Sequence, residues 1–378
     1  MNTETVLTNA RIVTPEGVTE GSLCLQDGLI ADIHAGSSHC AEDMRGDYII
    51  PGLIEMHTDH LETQFQPRPG VLWPSRLAAL LAHDTQVVGA GITTVLDSVC
   101  CGQLNEGNMR RTLLSMSIEA IRDARKKDVL RADHLLHLRC EICDQHMLDM
   151  FEPYAEEENL RLVSLMDHTP GQRQFRNLDK YKEYYRVEDM PETEFQSMID
   201  RLKTEQVEFA DKHRAAVLAL CSYRGIPVAS HDDTTEEHVA EAFACGITIS
   251  EFPTTMEAAR AARAKGLGIV MGAPNVVRGG SHSGNVSART LAAEGLLDIL
   301  SSDYVPASLL HGAFLLHSDL GVPLQDALST VTSNPARLLK LDDRGEIALG
   351  KRADVVRVRV VDDVPVVRGV WRNGERLL

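Results

Sequence analysis

Two imidazoles and a carboxylate stand close together at His57, Asp59 and His60, inside the stretch YIIPGLIEMHTDHLE at 48–62. An apolar run ends in the Pro51-Gly52 turn, and a second short run, Leu53-Ile54, leads into the polar group. On a strand, alternate residues share a face, so His57 and Asp59 point one way and His60 the other. An imidazole beside a carboxylate at a strand end is half of a metal site. Taken alone, HTDH reads equally well as a polar turn that contains two histidines. Residues further along the chain separate the two readings.

Asp97, Glu141, His168, His231 with Asp232 and Asp233, Glu251 and Asp303 all stand at the ends of later apolar runs. Each has an ordinary structural alternative. Glu141 is placed to pair with Arg139, His168 precedes the turn Thr169-Pro170, and His231 precedes a helix start. Jointly, imidazoles and carboxylates at successive strand ends suit one or two divalent cations.

That reading needs a fold that gathers strand ends on one face. Strand-like runs occur near 53–57, 92–98, 135–142, 162–167, 228–231, 247–252, 268–271 and 300–303. Helix-like stretches such as 110–126, 195–223 and 235–244 lie between them. Eight such units in under 300 residues predict an α/β fold of the (β/α)8 barrel type. A doubly wound sheet would need a Gly-rich phosphate turn after its first strand, and His57-Thr58-Asp59-His60 occupies that place. Both ends of the chain read differently. Alternating segments with turn signals at Pro15-Glu16-Gly17, Asp27-Gly28 and Asn373-Gly374 predict hairpins. The expected organisation is a small β-sandwich domain from 1–50 and 345–378, and a catalytic barrel over 51–344. Two stretches are long for a barrel. One is the polar and aromatic segment at 167–192, which reads as a lid or as a helical pair facing a partner. The other is the Gly- and Ser-rich loop at 272–285.

The chain has 378 residues and a formal net charge of -17, which argues against broad nucleic-acid binding. No run of about 18 apolar residues occurs, so no membrane span is expected. The N-terminus lacks the basic-then-apolar pattern of a signal peptide. The eight cysteines follow no secreted framework, which points to reduced thiols and a cytoplasmic setting.

The segments PGLIEMHTDH, SSDY, TSNPARLLKL and GEIALGKRADVV resemble the amidohydrolase superfamily. The resemblance covers essentially the whole chain and implies a metal-binding (β/α)8 barrel with a small β-sandwich built from both termini. HTDHLE, HLRCEI, LMDHTPGQRQF, ASHDD, GAPNVVRGGSHSGN and SSDYVPASLL are similar to the phosphonate-degrading diphosphatases of that superfamily. This implies hydrolysis of a ribose 5-triphosphate ester carrying a phosphonate, next to the enzymes of carbon–phosphorus bond cleavage. The alternative is a C–N hydrolase of deacetylase or dipeptidase type. The usual HxH signature is here HxD, as in some dipeptidases. His60 is therefore open between ligand, support and substrate contact, while strand geometry favours Asp59.

The resemblance implies two divalent ions (zinc, manganese or iron) held by His57, Asp59, Glu141, His168 and His231, with Asp303 as general base. A triphosphate needs cations around it. Arg173, Arg176 and Arg278 supply guanidinium forks, and Ser281, His282 and Ser283 supply a Gly-Ser loop. His60 is the remaining candidate substrate contact. A homodimer is expected.

Overall fold

The alternating segments at the two ends of the chain meet in one sheet. In the computed structural model, residues 4–36, 41–102, 109–281 and 284–378 are described. Strands β1 (Glu4–Thr14), β2 (Gly17–Gln26), β3 (Leu29–His34), β4 (Glu42–Asp43) and β5 (Tyr48–Pro51) come from the N-terminal part. The barrel follows with β6 (Leu53–Thr58), β7 (Ile92–Cys101), β8 (Asp133–Glu141), β9 (Leu160–Met166), β10 (Val228–His231), β11 (Ile249–Glu251), β12 (Gly268–Gly272) and β13 (Ile299–Ser301). The C-terminal part adds β14 (Val355–Val361), β15 (Val364–Arg372) and β16 (Glu375–Arg376).

The terminal sheet runs β16-β15-β14-β5-β1-β2-β3, with β4 beside β1. The two ends of the chain join where β5 pairs antiparallel with β14, Pro51 opposite Val355. The apolar faces of these strands bury Leu7, Ile12, Leu23, Ile49, Val355 and Trp371 in one cluster.

The second sheet runs β6 to β13 in chain order with parallel neighbours, and a parallel bridge between Thr58 and Asp303 closes it into a barrel. Every residue of β7 is buried, as expected for a parallel strand covered on both faces. The barrel interior is apolar towards one end, with Ile54, Leu96, Leu162, Ala229, Ile249 and Ile299. It turns polar towards the strand C-termini, where His57, Ser98, His137, Ser164 and Glu251 are buried.

The eight strands fall where the apolar runs predict, with bounds shifted by up to three residues. The last ends early, at Ser301, because Asp303 takes left-handed backbone with φ of 56°. The Gly-Ser stretch is not all loop. Ala273–Arg278 is a helix, started by a proline in its first turn and stopped by Gly279 at φ of 80°. The long helix Glu192–Arg224 buries Phe195, Ile199, Leu202, Ala210, Val217 and Cys221 along one stripe. Its first turns pack on Phe175 and Tyr181, which anchors the 169–191 segment at the barrel mouth.

An ionic clamp joins the C-terminal residues to the barrel. Asp133, which begins β8, receives Arg352 at 2.6 Å, Arg344 at 2.7 Å and Arg372 at 3.0 Å. Among the described residues, no helix is long and apolar enough to cross a membrane.

Candidate active site

The strand C-termini surround a cavity of about 320 Å³ lined by His57, Asp59, His168, His231, Asp232 and Asp303, among others. Its base is a buried chain of hydrogen bonds. The Thr58 N–H donates to Ser98 Oγ at 3.1 Å, and Ser98 Oγ lies 3.0 Å from His137 Nδ1. His137 Nε2 lies 2.6 Å from Ser164 Oγ, which donates to Glu251 Oε2 at 2.8 Å. Burial pushes the His137 pKa down to about 3, so the ring is neutral and one tautomer completes the chain.

Glu251 is the centre of this base. Its Oε1 accepts from His57 Nδ1 and its Oε2 from His231 Nδ1, each at 2.7 Å. Burial opposes its charge, but His57 and the hydrogen bonds from His231 and His57 outweigh that and keep its pKa well below the ordinary value. An ionised Glu251 fixes both protons on Nδ1, which leaves the Nε2 lone pairs of His57 and His231 as potential ligands.

His168 is oriented in the same way by Glu141, whose Oε2 accepts from His168 Nδ1 at 2.6 Å and whose Oε1 accepts from the His168 backbone N–H at 2.9 Å. Asp232 Oδ2 lies 3.6 Å from His168 Nε2 and 3.5 Å from His231 Nε2, and it is buried without a hydrogen-bond partner. Three ligands about 2.1 Å from one ion in tetrahedral array lie about 3.4 Å apart. The spacing of these atoms and the unpartnered carboxylate oxygen fit a divalent cation. Burial opposes charge on His168, yet Glu141 and Asp232 raise its pKa to about 9, so the pocket between them attracts positive charge.

Backbone geometry places these groups. Asp232, Phe252 and Asp303 have φ of 58°, 56° and 56° just beyond β10, β11 and β13. Left-handed backbone costs a non-glycine residue about 1 kcal/mol, and such strain collects at functional sites. At Asp303 it is held by the Asp303 N–H donating to the His57 carbonyl at 3.0 Å and by Thr58 Oγ1 donating to the Asp303 carbonyl at 2.7 Å. Buried Glu55 holds the same junction by accepting from the backbone N–H groups of His57 and Ser302, at 2.7 and 2.5 Å.

Residues 91–377 match the model of the amidohydrolase family. The chain belongs to the amidohydrolase family. Across its length this amidohydrolase is similar to the alpha-D-ribose 1-methylphosphonate 5-triphosphate diphosphatase of Escherichia coli strain K12. The identity is 46% over 377 residues, covering 98% of this chain and 100% of that protein. A dihydroorotase of Methanopyrus kandleri is 37% identical over 83 residues, covering 18% of this chain and 20% of its own length. Among solved structures, N-acetylglucosamine-6-phosphate deacetylase from Pasteurella multocida superposes with a TM-score of 0.64 at 12% identity, covering 99% of this chain and 100% of that one. A 5-methylcytosine deaminase from Klebsiella pneumoniae gives 0.65 at 16%, covering 99% and 97%. At these identities the structures share the fold alone.

The amidohydrolase cavity brings together His57, Asp59, His168, His231, Asp303, Arg278 and Ser281 from the residues singled out in the sequence. Others lie elsewhere. Glu141 is fully buried behind His168 and does not line the cavity; both of its oxygens serve His168. His60 starts the helix His60–Phe65, and its Nδ1 lies 3.0 Å from His83 Nδ1, at the end of a buried series through Asp97 and His134. Arg173 is spent on the Asp233 carboxylate at 2.6 Å and the His231 carbonyl at 2.9 Å, so it braces the strand end from behind. Arg176 is exposed and outside the cavity. His282 and Ser283 lie outside the described residues.

The cavity also holds Asp232, one of the strand-end carboxylates suited to a cation but left out of the five-residue ligand set, and two arginines that the sequence did not mark as substrate contacts, Arg110 and Arg139. Arg139 carried a readable signal. It alternates with His137 and Glu141 on β8, so all three leave the strand on the barrel-facing side. A pairing of Arg139 with Glu141 hid it; Glu141 is engaged by His168 instead.

Proposed function

We infer that the protein is a metal-dependent hydrolase that releases diphosphate from alpha-D-ribose 1-methylphosphonate 5-triphosphate and leaves the 5-phosphate. Full-length similarity to the Escherichia coli diphosphatase carries this reading. The cavity supports it, because imidazoles and carboxylates meet Arg278, Gly280 and Ser281 there.

His57, Asp59, His168, His231 and Asp232 are the assigned ligands for two divalent ions, with zinc, manganese and iron all suited to nitrogen and oxygen donors. When bound, such ions neutralise phosphoryl charge and make water acidic near neutral pH. Asp303, at the closure of the barrel, takes the proton from the attacking water. Arg278 and the hydroxyl of Ser281 orient the departing diphosphate, and the open space beside the α-carbons of Gly279 and Gly280 leaves room for its oxygens. Glu141 and Glu251 touch no substrate; they hold His168, His57 and His231 in the tautomers that point Nε2 to the centre.

We further assign the chain to a small domain from 1–50 and 345–378 on a catalytic barrel over 51–344. It acts as a homodimer in the cytoplasm beside the enzymes that cleave the carbon–phosphorus bond. Among the described residues seven cysteines are free, which suits a reducing compartment, and exposed Val71, Leu72 and Trp73 suit a contact between subunits. The test offers the metal-reconstituted protein the ribose triphosphate ester beside dihydroorotate and N-acetylated substrates. Turnover of the triphosphate ester is expected. Turnover of the amides alone would replace this reading with that of a C–N hydrolase.

A further inference from the structure

Opposite the Arg278 loop, the cavity wall is formed by Arg110, Arg139, Glu62, Cys100, Tyr184 and Tyr185. In a ring of eight strands, β8, which carries Arg139, lies four places from β12, which leads to Arg278. The two cationic groups therefore flank the proposed metal centre from opposite sides. Among the described residues, Arg139 Nε is buried without a hydrogen-bond partner. Both guanidinium groups are partly buried and face the cavity with the Glu62 carboxylate on the same wall, so an anionic ligand can take charge-assisted hydrogen bonds from them.

The proposed substrate is anionic at both ends, with a triphosphate on C5 and a methylphosphonate ester on C1. We propose that Arg110 and Arg139 form the subsite for the methylphosphonate ester, while the Arg278 loop takes the diphosphate that leaves. This assignment rests on the diphosphatase reading. The chemistry of the wall favours the phosphonate over a polyphosphate. A phosphonate monoester carries one negative charge shared by two oxygens, which matches a guanidinium fork, and one apolar methyl group. Tyr184, Tyr185 and the Cys100 thiol supply apolar surface beside the two arginines. Glu62 on the same wall offsets part of their positive charge, which suits a single negative charge better than the several charges of a triphosphate. Specificity for an anionic substituent on C1 would then reside in β8 and the start of the helix Met109–Lys126.

The test compares two substrates that differ only at C1: the methylphosphonate ester, and the methyl riboside 5-triphosphate with a neutral methyl ether. For Arg110→Gln and Arg139→Met, the ratio of the two kcat/KM values falls by about 10- to 100-fold, the loss expected for a charge-assisted contact. Equal losses on both substrates, or no loss, overturn the proposal, since the pair would then hold the triphosphate or nothing. If Arg139→Met fails to fold, Arg110→Gln decides. Titration calorimetry with monomethyl methylphosphonate separates this proposal from the diphosphatase reading. Binding that weakens at least about 10-fold in Arg110→Gln supports the subsite whether or not diphosphate is released. Equal binding by both proteins, or none by the wild type, overturns it.

Discussion

Glu251→Gln tests how the metal centre is organised without touching any residue that faces the cavity. One carboxylate accepts from His57 Nδ1 and from His231 Nδ1, each at 2.7 Å. Glutamine keeps the shape but offers a single acceptor oxygen and an amide that donates. One imidazole therefore meets an N–H where an acceptor stood. It escapes by moving its own proton to Nε2, which removes the lone pair that the centre needs. Loss of a support of this kind costs 10- to 100-fold in metal affinity. Because Glu251 supports two candidate ligands, the expected loss is about 100-fold, or about 2.7 kcal/mol. The assay is metal affinity by competition with a chelator, with activity measured at saturating metal. Ser164→Ala removes only the hydroxyl that donates to Glu251, and its effect is expected to stay below about 10-fold. A Glu251→Gln protein with wild-type metal affinity would refute the tautomer argument.

Asp303→Asn is expected to keep its metal and lose turnover by about 10²- to 10⁴-fold, measured by metal content and kcat together; loss of metal instead would make Asp303 chiefly a ligand. Arg278→Ala should raise KM for the triphosphate ester about 10-fold or more, whereas Arg176→Ala should stay within about two-fold, because Arg176 is exposed and away from the cavity. Asp133→Asn breaks the clamp to Arg352, Arg372 and Arg344 and should cost about 2–4 kcal/mol, read by scanning calorimetry. Burial opposes the Asp133 charge, but these three arginines outweigh it and hold its pKa below the ordinary carboxylate value. The stabilisation is therefore fully present above about pH 4 and lost as pH falls through the lowered value, so wild type and variant converge in acid.

The barrel was legible because each strand is a short apolar run ending in a polar group, and because a turn or helix pattern separates the runs. The terminal sheet was legible from turn chemistry at Asp27-Gly28 and Asn373-Gly374, although only the structure shows β5 joining β14. Within the site, parity along a strand is not enough to define what a side chain meets. Glu141 and Glu251 both end strands, yet the carboxylate of each is hydrogen-bonded to a histidine that lines the cavity, a contact between residues far apart in sequence. Asp232 was one of three polar residues in a row, and its selection depends on left-handed backbone that no spacing rule gives. Arg173 looked like a phosphate ligand from its charge and position, but Asp233 claims it.

The proposed reaction is a metal-dependent attack on one phosphoanhydride. The most direct measurement is phosphorus NMR of the ribose 5-triphosphate ester incubated with metal-free protein and with protein titrated with zinc, manganese or iron(II). The expected spectrum shows diphosphate and the 5-phosphate forming in equal amounts, at a rate that follows the added metal. Stepwise release of inorganic phosphate, or equal activity in the metal-free protein, would contradict it.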